Sequence, residues 1–156
     1  MYIGIDPGAS GGIVSLMTAP IGTVLVTISA WKTIDEAYSN LQLCNEYGAS
    51  KMIACIENVH AFPTDGRSSA FKFGKNAGQW EGLLTGLNIP FYHVVPHKWM
   101  SFYEVMPKEK KERKNRLKAI ANRELVSIGS SDRATLKTAD AMLIANYSKR
   151  SYEWQR

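Results

Sequence analysis

The sequence predicts an α/β fold built on one mixed, five-stranded sheet with helices on both faces. Three observations predict it. The first thirty residues break into three short apolar segments separated by Gly- or Pro-containing turns, the pattern of an antiparallel meander. Residues 51–57 (KMIACIE) form an almost wholly apolar run, as a central strand covered on both faces requires. The remaining long segments carry apolar residues at helical spacing, which completes the order βββαβαβαα.

Strands are expected over 2–6, 12–18 and 22–28. Thr33 with Glu36 three residues on makes a capping box, opening a helix that Gly48 would close as its C′ residue. The strand at 51–57 leads into a polar loop, HAFPTDGRSS, and then a helix over 68–87. Phe73, Ala77, Trp80, Leu84 and Leu87 mark the apolar stripe of that helix. Gly74, Gly78 and Gly82 recur four apart on it, suited to close packing in the core or to a partner helix in a homodimer. A fifth strand over 91–95 is followed by a turn at PHKW. The stretch from 108 to 123 holds eight Lys or Arg against two Glu, with Leu117, Ile120, Ala121 and Leu125 as an apolar stripe. It reads as an amphipathic basic helix. TLKTADAMLIANYSKR forms the last helix.

At 156 residues and 45% apolar content the chain suits a single domain spanning 1–156. Cys44 and Cys55 lack any metal-ligand or CxxC spacing and read as buried, reduced thiols. No secretory leader and no apolar run near the ~20 residues of a membrane span is present, so a cytoplasmic protein without a membrane partner is expected. The formal charge of +5 and pI near 9.2 favour an anionic partner, nucleic acid first.

The chemistry lies in three acids. Asp6 and Glu57 each end an apolar strand, and neighbouring strand ends stand about 5 Å apart. Asp140 sits in TADAMLIAN, where Ala139, Ala141 and Met142 put it against apolar surroundings. Buried acids are rare unless paired or coordinating a metal. Together the three make an oxygen-rich pocket for Mg²⁺ or Mn²⁺.

IGIDPG, CIENV and TADAMLIAN, in this order and joined by AFKFGKNAGQWEGLL, resemble the motifs of RuvC-type Holliday-junction resolvases, members of the RNase H-like nuclease superfamily. The resemblance implies an RNase H-like fold, two divalent metal ions per site and a homodimer that cuts branched DNA by paired nicks. It implies Asp6, Glu57 and Asp140 as the metal-binding, catalytic acids, with Asp6 bridging both ions. The chain departs from the pattern at Lys137, where the family has Asp or His one helical turn before the last acid. Lys137 would then hold the scissile phosphate or neutralise the site. Asp132 could replace the missing acid only if its segment folds back, because eight residues span about 12 Å of helix.

DNA contacts are expected from the basic helix (Lys108, Lys110, Lys111, Arg113, Lys114, Arg116, Lys118) and from Lys98 and Trp99. His60, Phe62 and Arg67 of the loop after Glu57 could stack on an unpaired base at a branch point. Phe73, Ala77, Trp80 and Leu84 are the expected dimer interface. No nucleotide cofactor is expected. FGKN lacks the Gly and Ser/Thr of a P-loop, and GASGG lacks the GxGxxG order. His93 and His97 flank Pro96 and cannot form a zinc helix. Sugar-kinase and actin-like ATPases open on a similar IxIDxG hairpin but need two such domains. A nuclease of broader branched-DNA or flap specificity and a non-cleaving junction-binding module are the remaining alternatives.

Overall fold

The computed structural model describes residues 1–18, 24–46, 52–58 and 66–153. Strands β1 (Tyr2–Asp6), β2 (Gly12–Thr18) and β3 (Val24–Ala30) are followed by α1 (Ile34–Glu46) and β4 (Ile53–Glu57). Then come α2 (Arg67–Gly86), β5 (Phe91–Val94), α3 (Pro96–Met100), α4 (Lys110–Ser127) and α5 (Ala139–Glu153). The strands form one sheet in the order β3-β2-β1-β4-β5. Pairing is antiparallel from β1 to β2 and β2 to β3, and parallel from β1 to β4 and β4 to β5. This is the expected mixed sheet, with its three N-terminal strands antiparallel.

The period of two along a strand sorts β1 into two faces. Ile3 and Ile5 pack with Ile13, Ala54 and Ile56 under α1 and α2, through Ala37, Leu41, Trp80 and Leu84. Gly4 and Asp6 point the other way, to the side where Val14, Leu16 and Cys55 pack against Leu117, Ile120 and the apolar run of α5. Gly4 is required there. A Cβ on it would stand 2.1 Å from the Ala141 carbonyl oxygen and 2.3 Å from the Ala145 nitrogen. The backbone of α5 therefore rests directly on the central strand.

Local signals explain most boundaries. The Glu36 N–H donates to Thr33 Oγ1 at 3.2 Å, the expected cap of α1; Gly48 lies outside the described residues. PHKW, expected as a turn, is a short helix with Pro96 at its start, where a missing N–H costs nothing. α4 begins at Lys110 because Glu109 caps it, accepting from the Glu112 N–H at 2.6 Å. α5 begins four residues later than expected. Thr135 to Thr138 form a turn in which the Thr135 N–H donates to Thr138 Oγ1 at 2.9 Å. Asn122 clamps the preceding segment to α4, bonding both the N–H and the carbonyl of Ala134.

On α2 two expectations need correction. Trp80 and Leu84 are 0% exposed, Trp80 with its ring 4.8 Å from that of Trp31, so neither can offer surface to a second copy. Conversely, a Cβ on Gly74, Gly78 or Gly82 would meet nothing within 4 Å among the described residues. The glycine stripe faces outward and does not pack the core. Among the described residues, no helix is long and apolar enough to cross a membrane.

Candidate metal centre

Strand parity brings the first two acids together. Asp6 follows Gly4 on the α5 side of β1, and Glu57 follows Cys55 on the same side of β4. Because β1 and β4 are parallel and in register up to Ile5 and Ile56, their final residues lie side by side. Asp140 enters from the first turn of α5, where the helix dipole favours a negative charge. All three carboxylates are buried, at 9%, 7% and 5% exposure respectively.

Each oxygen has a specific environment. Asp6 and Glu57 are in hydrogen-bond contact with each other. Burial pushes the pKa of Asp6 well above the ordinary range, and the charges of Glu57 and Asp140 push it further. Glu57 is also raised, chiefly by burial; the indole of Trp99, donating to Glu57 Oε1 at 2.8 Å, works against the rise. The Lys114 ammonium donates to Asp140 Oδ2. Burial alone would depress the Lys114 pKa, yet Asp140, Asp6 and Glu57 together raise it. Asp140 Oδ1 is buried with no hydrogen-bond partner among the described residues.

The residues fit a divalent cation. Three buried carboxylates, hard oxygen donors, stand on one side of the sheet, and Asp140 Oδ1 is orphaned among the described residues. Among the described residues no three acids close around one point as a finished ligand shell. The Lys114 ammonium instead bonds Asp140 within the same cluster.

Trp99 was expected at the DNA surface; it is fully buried and positions Glu57 instead. Trp99→Phe keeps the aromatic packing and deletes the donor. Urea unfolding should show a loss of about 1–2 kcal/mol; a change within about 0.5 kcal/mol would mean that the contact carries no weight.

The other expected site residues separate into three groups. Lys98, Lys108, Lys110, Lys111, Lys118, Arg67 and Lys137 are exposed. Three members of the basic helix are engaged within the molecule. Lys114 holds Asp140, Arg116 pairs with Glu104 (Nε to Oε2 3.0 Å), and Arg113 reaches back to the Lys108 carbonyl at 3.0 Å. Arg123 also pairs with Glu104, at 3.3 Å. His60 and Phe62 lie outside the described residues.

Lys137 sits in the turn before α5, and no ion pair of the described residues includes it; the neutralising cation is Lys114. Asp132 is exposed and tied to the Ser130 hydroxyl at 2.8 Å, so it is not a fourth acid of the site. A sequence signal for Lys114 existed. It lies three residues before Leu117 and seven before Ala121, on the buried stripe of its helix.

Neither a protein-family model nor a curated protein sequence matches the chain. Solved structures do. The Thermus thermophilus RuvC structure in complex with a Holliday junction substrate aligns over 98% of this chain and 94% of its own, with 14% identity and a TM-score of 0.61. A second T. thermophilus RuvC structure aligns over 98% and 95%, with 16% identity and a TM-score of 0.56. The chain has the fold of the RuvC-type resolvases.

Proposed function

We propose that the chain is a divalent-metal-dependent endonuclease that resolves branched DNA, four-way junctions foremost, as one RNase H-like unit acting in a homodimer. The observation that carries this reading is the burial of Asp6, Glu57 and Asp140 together, with more negative charge than one ammonium can balance. The shared fold with a RuvC that was solved on a Holliday junction substrate supports the choice of DNA.

Asp6, Glu57 and Asp140 would hold two Mg²⁺ or Mn²⁺ ions, Asp6 lying between the other two. When bound, the metal supplies Lewis acidity, activating water and stabilising the leaving oxygen of the scissile phosphate. The chain's own residues do the rest. Trp99 fixes the orientation of Glu57 and favours its ionised form. Lys114 balances charge until the cation arrives. Lys137, exposed above the start of α5, meets the scissile phosphate. The exposed cations Lys98, Lys108, Lys110, Lys111, Lys118 and Arg67 neutralise backbone phosphates, which makes binding steeply salt-dependent. A two-fold dimer through the exposed face of α2, with Phe71 (73% exposed) and the glycine stripe, would pair two sites on opposite strands.

Labelled four-way junction, flap and linear duplex, incubated with Mg²⁺, Mn²⁺ or EDTA, test the proposal. Paired nicks in the junction, dependent on metal, are expected. Equal cutting of flaps would broaden the specificity; inactivity on every branched substrate would leave a binding module.

Lys114→Met removes the resident cation. Without metal the variant should be less stable at neutral pH, since the acids lose their counter-ion. By isothermal titration it should bind Mn²⁺ about tenfold more tightly, a gain of about 1.4 kcal/mol, because no ammonium competes for Asp140. Weaker Mn²⁺ binding would contradict the placement of Lys114 in the cation position.

A further inference from the structure

A groove of about 580 Å³ lies on the α1/α2 side of the sheet, the face away from the basic helix α4. Its walls are the β1–β2 turn at Gly8, the segment from Trp31 to Ile34 that opens α1, and the first half of α2. We propose that this groove is a second DNA site, which takes the sugar-phosphate strand continuing away from the scissile phosphate. The inference rests on the nuclease reading above and extends it to residues that reading leaves unused.

Charge is the first observation. Lys32, Lys72 and Lys75 line the groove, and among the described residues no Asp or Glu does. Lys32 has Glu36 at 3.5 Å, but among the described residues Lys72 and Lys75 are in no ion pair. On α4, by contrast, Arg113, Lys114, Arg116 and Arg123 are all engaged internally. Much of the most basic segment of the sequence is thus spent within the molecule, whereas the α2 lysines are free to meet an anion. A groove of this size with ammoniums and no carboxylate fits a phosphodiester strand.

Aromatic surface is the second. Trp31 and Phe73 face the same groove, both half-buried, and offer rings on which a base can stack. Phe73 lies against Gly8, where a Cβ would be 3.8 Å from its ring. Gly8 has φ +123°, a conformation that keeps side chains out of this wall.

Continuity with the acids is the third. Gly8 is two residues beyond Asp6, and its N–H donates at 2.6 Å to Oδ1 of the buried Asn76 on α2. One hydrogen bond thus ties the groove's helix to the turn that follows the first acid. Residues 69, 72, 73, 76 and 79 share the groove side of α2, 74, 78 and 82 lie on the outer side, and Lys75 stands at the edge between them.

The test is binding of a fluorescein-labelled four-way junction in EDTA, followed by anisotropy at several salt concentrations. Lys72→Gln/Lys75→Gln should bind about tenfold more weakly near 0.1 M salt. Its slope of log affinity against log salt should be shallower by about 1–2. Lys149→Gln, on the far half of α5, measures the effect of net charge alone and should leave the slope within about 0.3. Both lysines are exposed, so folding is checked simply by an unchanged Tm. A double variant with wild-type affinity and slope overturns the groove while leaving the nuclease reading intact. A wild-type protein that binds no branched DNA overturns both.

Discussion

Asp6→Asn should abolish junction cutting, by at least about 10³-fold, with junction binding retained or tightened. The expected loss corresponds to about 4 kcal/mol of transition-state stabilisation, the scale expected if Asp6 holds the metal. Binding persists because Asp6 touches no phosphate, and removing a negative charge beside a phosphate lowers repulsion. The same substitution should have an opposite effect on stability. Burial and two neighbouring acids raise the Asp6 pKa, so the folded protein holds a proton that the unfolded chain has released. Where the native state binds more protons, stability falls as pH rises. The metal-free protein should therefore lose stability as pH climbs from about 4 through the raised folded value. Asn cannot ionise. At pH 8 without metal, the variant should melt about 3 °C or more above the wild type, and the gap should close when saturating Mg²⁺ is added. Differential scanning calorimetry across pH checks both signs. Equal pH profiles for the two proteins would mean that Asp6 carries no strain, and cutting by the variant would remove it from the site.

Gly4→Ala should destabilise the fold by about 3 kcal/mol or more. The added methyl would overlap the Ala141 carbonyl oxygen at 2.1 Å and the Ala145 nitrogen at 2.3 Å, and both are backbone atoms of one helix. No rotamer change relieves that overlap, so α5 must lift from β1. Lifting α5 also displaces Asp140, and metal binding should weaken along with stability. Gly86→Ala is the matched comparison. It closes α2 with nothing within 4 Å of an added Cβ, and Ala is the better helix former, so a gain of about 0.5 kcal/mol is expected. Urea unfolding of the two variants tests the direct seating of helix on strand. Similar stabilities for Gly4→Ala and the wild type would show that α5 has room to shift.

The sheet was legible because strand signals are local. Alternation in β1, the short apolar run of β4 and the turns between the first three strands each depend on neighbours within a few residues. Asp6 and Glu57 were found as polar ends of such strands, and Asp140 as an acid among alanines. What sequence left hidden were partnerships between distant elements. Trp80 and Leu84 lie on an apolar helical stripe, but a core stripe and an interface stripe have the same period, and only the packing of α2 on the sheet decides between them. Lys114 was one of eight cations in a charge run, and its burial emerges only when α4 meets α5 at Asp140. Trp99, next to an exposed lysine after Pro96, turns inward because α3 forms a single helical turn that points its indole at Glu57.

If Asp6, Glu57 and Asp140 hold a cation in the position that Lys114 balances without metal, a bound ion must displace the Lys114 ammonium from Asp140. Crystals grown with millimolar Mn²⁺ and measured near the manganese absorption edge test it most directly. An anomalous peak between Asp6, Glu57 and Asp140, with the Lys114 ammonium withdrawn from Asp140, is the predicted result. Manganese bound only elsewhere, with Lys114 still on Asp140, would contradict it.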